Sequence, residues 1–301
     1  MDMARRFRGI LAGLLIAVVA GCSASTPPIG PADLALVGTP LEGCCRETEV
    51  YAPVLIALIE PFAPLLGNAV GASVYRSGYL ADEKVQAQVL QVVRPLDVVL
   101  LSNKHRASGS TIPGLFGHLA VYLGTEAELR ALGMWNHATV VPHQAEIRAG
   151  MTFIESDRFG VHLSLPEEIL NTDRVVLTRP QLASNARRRE VVAGFAQRLG
   201  MTFDYHFDNA TPDELYCAEL VSIVMPELRL PTRIIYGRET ILPDDVAAQA
   251  STGRIPLAVA AYFRGKPEVW ERSDRAGLIT DLADWWQRGR NEKPAAGAPG
   301  V

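Results

Sequence analysis

The chain has 301 residues, of which 48% are apolar and 21% charged, a balance that fits a folded globular protein and excludes a disordered one. Its formal charge of −4 leaves no basic footprint for nucleic acid, so none is expected as a partner. Four cysteines are too few to staple a chain this long, and the fold must rest on a hydrophobic core.

In chain order, residues 1–21 read as a removable leader. Arg5, Arg6 and Arg8 form a positive start, and Ile10 to Ala20 is an apolar run too short to span a bilayer comfortably. The run ends at Val19-Ala20-Gly21-Cys22, which resembles the bacterial lipobox; an ordinary secretory signal is the alternative. Acyl chains on Cys22 would anchor the protein to a membrane without spanning it. Residues 22–48 read as a tether. Within them, Cys44-Cys45 is left open between an intermolecular disulfide and a buried pair. Residues 49–93 form an N-terminal helical region. Its apolar block from Glu49 to Tyr79 is broken by Pro53, Pro61, Pro64 and Gly67, and reads as short helices that cover the core or rest on lipid, the first being favoured.

From Leu96 the pattern turns to short β-prone runs at Val98–Leu101, His118–Leu123, Met151–Ile154 and Val175–Leu177. Helical patterns follow over Ser184–Leu199 and Leu215–Met225. Ile255–Phe263 reads as a further strand, and Ser273 as the cap of a helix running to about Arg288. Strands before helices argue for an α+β fold. The expected organisation is a main domain over 94–265, a C-terminal helix within 266–292 and a disordered tail over 293–301.

Four residues carry candidate chemistry. Pro212-Asp213 is a helix-start signal that puts Cys217 in a first turn, where free N–H groups and the helix dipole favour a thiolate. Cys217 also shares a helical face with Leu220, Val221 and Val224, as a buried core cysteine would. Alternation puts His118, Ala120 and Tyr122 on one strand face, away from Leu119, Val121 and Leu123. Glu155 closes a β-run, as a solvated edge residue or as a carboxylate that fixes an imidazole, with His162 as an alternative orienting residue. No metal site is expected: His105, His118, His137, His143, His162 and His206 form no His-Glu-x-x-His arrangement, and no Cys-x-x-Cys is present. No cofactor is called for.

The ordered set resembles the circularly permuted papain-like amidases of the YaeF/YiiX type, within the NlpC-like cysteine hydrolases. It comprises Pro95–Leu100, Gly117-His118 to Gly124, Phe153-Ile154-Glu155 followed by Gly160-Val161, Phe203 to Phe207, Tyr216 to Val221 and Ile241 to Asp245, the last similar to a late helix cap. The resemblance spans roughly Leu96 to Phe263. It implies an antiparallel sheet packed against a cysteine-bearing helix, with Cys217 as nucleophile, His118 as base and Glu155 as orienting carboxylate. The Cys217 N–H is one oxyanion donor, and Tyr205 and Tyr216 are candidates for the second. Ala218 stands where the family often has Ser, and Thr125 to Gly150 is longer than expected, a stretch that would contribute to substrate choice.

The expected function is a cell-envelope cysteine hydrolase cleaving an amide bond through an acyl-enzyme. It would act on a peptidoglycan peptide or an acylated amine or lipid, on the periplasmic face of the outer membrane. The alternatives are a lipid-directed acyltransferase or thioesterase using the same pair, and a non-catalytic envelope lipoprotein.

Overall fold

Val98 to Ser102 forms the central strand β1, and every one of its side chains is buried. That is unusual for antiparallel pairing, which commonly leaves one face wet. The reason is that helices cover both faces of the sheet. The computed structural model describes residues 41, 44–45, 53–211 and 213–291. Cys22, the leader and the tail from 293 lie outside the described residues.

The chain begins with α1 (Pro53–Ile59), a 3-10 turn and α2 (Ala63–Ala72), followed by α3 (Glu83–Val92). After β1 come α4 (Ala107–Thr111), β2 (His118–Tyr122), α5 (Glu126–Ala131), α6 (Gln144–Arg148), β3 (Phe153–Asp157), β4 (Gly160–Ser164) and α7 (Pro166–Ile169). Next are β5 (Arg174–Pro180), α8 (Asn185–Ala196), α9 (Cys217–Val224) and a small hairpin of β6 (Arg233–Ile235) and β7 (Arg238–Thr240). The chain closes with α10 (Pro243–Ser251), β8 (Leu257–Lys266), β9 (Val269–Ser273) and α11 (Arg275–Asn291).

Seven strands form one antiparallel sheet in the order β4-β3-β2-β1-β5-β8-β9. Alternate side chains serve two cores. Val98, Leu100, Leu119, Val121, Ile154 and Val176 pack with α8, α9 and α10. Val99, Leu101, Ala120, Tyr122, Phe153 and Val175 pack with α3 on the other face. The fold is α+β, built in three layers.

Several expectations change in detail. The cysteine helix starts at Cys217 itself, not at Leu215. The residues before it are drawn out as an extended segment: Leu215 donates its N–H to the Thr202 carbonyl, and its own carbonyl accepts from Ser156 Oγ. The sheet also runs past Phe263 through the β8–β9 hairpin, so the last described helix starts at Arg275, and Asp274, not Ser273, caps it by accepting the Gly277 N–H. The block from Glu49 does not cover the core, because no described side chain of α1 or α2 is fully buried. Cys44 and Cys45 are bonded to each other and buried beside Trp286. The stretch Thr125 to Gly150 folds as α5 and α6, with Trp135 and Ile147 in the main core.

Asp244 ties the late helices to the histidine strand. It lies in the Ile241–Asp245 segment likened to a late helix cap, and α10 does start there, with Leu242 at the cap position. The fully buried Asp244 carboxylate accepts 2.7 Å hydrogen bonds from the N–H groups of Leu115 and Phe116 and from Trp286 Nε1. These bonds fix the turn that leads directly into His118.

Burial pushes the Asp244 carboxyl up to about 6, against the pull of its three donors. A carboxyl raised in the fold takes up a proton on folding, so its contribution to stability declines as pH rises from about 4 to about 6. Asp244→Asn is expected to flatten that part of the profile. Asp244→Ala, which leaves three donors unpaired, should cost about 3 kcal/mol or more. Urea midpoints of both variants and the parent protein at the two ends of this window test both expectations.

Candidate active site

β2 and β3 pair in the register Ala120↔Glu155, so Glu155 lies diagonally next to His118 on one face of the sheet. The two side chains meet: His118 Nε2 is 2.6 Å from Glu155 Oε2. The short Arg158-Phe159 turn sets Glu155 opposite His162 and Phe153 opposite Ser164. With a period of two, both His162 and Ser164 fall on the face of Glu155. Ser164 Oγ donates to Glu155 Oε1. His162 stands further off, with Nε2 3.6 Å from Glu155 Oε1. Glu155, not His162, therefore meets His118.

Cys217 arrives from the other chain segment. Ser156 holds the Leu215 carbonyl against β3, and the extended residues deliver Cys217 as the first residue of α9. The Glu219 side chain lies toward the Tyr216 N–H at this helix start, and its Oε2 is buried without a hydrogen-bond partner. Cys217 is buried and forms no disulfide. Its side chain stands beside the His118 ring, close enough to act on the charge of the imidazole. Because Nε2 is engaged by Glu155, Nδ1 is the ring nitrogen left for the sulfur.

Electrostatics bind the three together. Burial opposes charge on His118, yet the charge and hydrogen bond of Cys217, with those of Glu155, outweigh it and hold the imidazole well above its ordinary 6.5. Burial likewise opposes charge on Glu155, but the His118 hydrogen bond and charge, with Ser164 and His162, hold it below its ordinary 4.5. An ionised sulfur beside an imidazolium is the form in which a cysteine attacks carbonyl carbon.

The trio opens on a groove of about 430 Å³. Phe203, Tyr205 and Phe207 line one wall, and Ala63, Gly67, Val70 and Gly71 of α2 another. The aromatic wall is built on Asp204, whose buried carboxylate accepts from the N–H groups of His206 and Asp208. None of the groove's lining residues comes from Thr125 to Gly150, so that stretch does not shape it. Neither tyrosine offers its hydroxyl to the sulfur. Tyr216 donates to Asn209 Oδ1 at 2.6 Å and accepts the Ile241 N–H at 2.8 Å. Tyr205 lies in the groove but donates to the Arg158 carbonyl at 3.2 Å.

Ser164, Ser156 and Glu219 are absent from the sequence-derived set. Ser164 was within reach of it: once Glu155 points inward, the tight turn after Asp157 brings Ser164 to the same face. Ser156 and Glu219 act on backbone groups, and the sequence carries no comparable signal for them.

Removing the sulfur removes the leading influence that raises His118. In Cys217→Ala the His118 ring is expected to titrate at lower pH than in the parent protein, read by NMR of the imidazole. An unchanged titration would refute the pairing.

The chain matches, over residues 93–273, the family described as permuted papain-like amidase enzyme, YaeF/YiiX, C92 family. No curated protein and no solved structure matches it. The matched region runs from the end of α3 to the end of β9 and takes in the whole sheet, the cysteine helix and the lining of the groove apart from its α2 wall. The chain thus belongs to the permuted papain-like amidases of the C92 family, enzymes of the cysteine peptidase and amidase class.

Proposed function

We propose that this chain is a cell-envelope cysteine hydrolase that cleaves an amide bond, with Cys217 as nucleophile, His118 as base and acid, and Glu155 as the carboxylate that orients the imidazole. One observation carries the reading: His118, hydrogen-bonded to Glu155, has the free Cys217 beside the same ring at the wall of a groove.

The steps follow from the geometry. The Cys217 sulfur attacks the carbonyl carbon and forms a C–S bond. The Cys217 N–H, at the first position of α9 and with no acceptor inside its helix, supports the oxyanion. The C–N bond then breaks as His118 gives its proton to the leaving amine. Water attacks the thioester while His118 takes its proton, and the C–S bond breaks to release the acid. Glu155 keeps Nε2 occupied throughout, so Nδ1 faces the reacting atoms.

The envelope assignment rests on the lipobox-like Val19-Ala20-Gly21-Cys22. Peptidoglycan peptides and acylated lipids are the substrates found there. A second reading, acyl transfer or thioester hydrolysis on a lipid substrate by the same pair, is favoured by one feature: the α2 wall of the groove carries only Ala, Gly and Val.

Cys217→Ala is expected to reduce turnover to background, and Glu155→Gln to lower kcat on the order of 10²–10⁴-fold. A thiol-directed probe at neutral pH should label Cys217 in the parent protein. Absent labelling, together with unchanged hydrolysis by Cys217→Ala, would sink the assignment. Mass spectrometry of peptidoglycan fragments and acylated lipids after incubation separates the two substrate readings. In the bacterial host, labelled fatty acid should enter the parent chain and not Cys22→Ala; equal incorporation would remove the anchor.

A further inference from the structure

The block that precedes the C92 region has two faces of opposite character. Ala63, Gly67, Val70 and Gly71 recur at helical spacing and line the groove. Gly67 lies against the Tyr205 ring and Gly71 against the Arg158 side chain, so closely that a Cβ at either would clash. On the opposite face, Leu58, Phe62, Leu65 and Leu66 recur at the same spacing and point outward. Leu58 is 67% exposed, Phe62 57% and Leu65 70%. Large apolar side chains held together in the open mark an interaction surface.

The chemistry of the stretch specifies what covers it. From Leu55 to Ala72 its one charged residue is Glu60, and that carboxylate is paired with Arg238 of β7. The amide of Asn68 donates to the Pro64 carbonyl at 3.0 Å. Each of its two hydrogen-bonding side chains thus has a partner within the protein, which lowers the cost of an apolar surrounding. The stretch is also long and apolar enough to cross a bilayer by composition alone. Its glycine face is packed on the domain, however, and a 3-10 turn with Pro61 interrupts it at Glu60–Phe62. That leaves the outer face alone for contact with lipid. Finally, an acyl anchor at Cys22 would hold the following chain at a bilayer surface, and α1 is the first described helix after it.

We infer that α1 and α2 lie in the surface of a lipid bilayer by the face bearing Leu58, Phe62, Leu65 and Leu66, and that their other face carries the groove to that surface. The inference draws on the Cys22 anchor proposed above but not on the role of Cys217. An enzyme seated in this way meets substrates presented at the lipid–water boundary.

The test uses the full chain, reconstituted in phosphatidylcholine vesicles that contain a phosphatidylcholine with a photoactivatable diazirine in its acyl chain. Adducts are mapped by mass spectrometry. Labelling is expected over Leu55–Leu66. It should fall at least about tenfold in Leu58→Ser/Phe62→Ser/Leu65→Ser, whose exposed positions leave the melting temperature unchanged. Adducts confined to residues before Pro53 would overturn the docking while leaving the anchor intact. Adducts that include Gly67 and Gly71 would replace it with a spanning helix. Crosslinks between copies through Leu58 or Leu65, without lipid adducts, would replace it with a dimer interface. Because the readout is lipid contact and not turnover, it stands or fails separately from the hydrolase assignment.

Discussion

A carboxylate buried beside an imidazole organises this molecule. An isolated ionised Glu155 would be strongly disfavoured away from water. It is kept charged by His118 on one oxygen and by the Ser164 hydroxyl on the other. Both partners come from neighbouring strands, so the pairing register of β2, β3 and β4 is the condition for the charge. A slip of one residue in either strand pairing would turn a partner to the opposite face and leave the carboxylate alone. The requirement is local and severe, and the sheet meets it with a tight turn at Arg158-Phe159.

The sulfur is brought to this pair by a different device. Its helix packs on the face of the sheet that carries Leu119 and Val121, whereas His118 has the parity of Ala120 and Tyr122. They meet at the first residue of β2 and the first residue of α9, where a strand end and a helix end coincide. Side chains that hold main chain make that coincidence: Ser156 bonds the Leu215 carbonyl, Asp244 bonds the Leu115 and Phe116 N–H groups before His118, and Glu219 lies toward the Tyr216 N–H.

Much of this could be read before any coordinates. Alternation identified the histidine strand and which of its faces carried His118, because a period of two is insensitive to small errors in strand ends. The order His118, Glu155, Cys217 pointed to the family, because reacting residues must stand in fixed local patterns. What stayed hidden depends on contacts far apart in sequence. The Ile241–Asp245 segment is recognisable as a helix start by resemblance, yet nothing near Asp244 shows that its partners Leu115 and Phe116 lie more than a hundred residues away. Tyr216 looked available as a donor because a sequence does not show that Asn209 and Ile241 already engage its hydroxyl. The block from Glu49 to Tyr79 was expected to cover the core or to rest on lipid, the first being favoured because apolar residues usually do. In α2 the small Ala63, Gly67, Val70 and Gly71 line the groove, while Leu65 and Leu66 are exposed.

The Trp286 indole on Asp244 has a consequence in time as well as in space. The histidine strand is the second of the sheet, but the clamp on the turn before it includes a residue of the last helix. A chain emerging N-terminus first can pair β1 with β2 early and still lack the finished support behind His118 until residue 286 has come out. The order of synthesis thereby delays the finished support of the histidine strand until Trp286 has emerged.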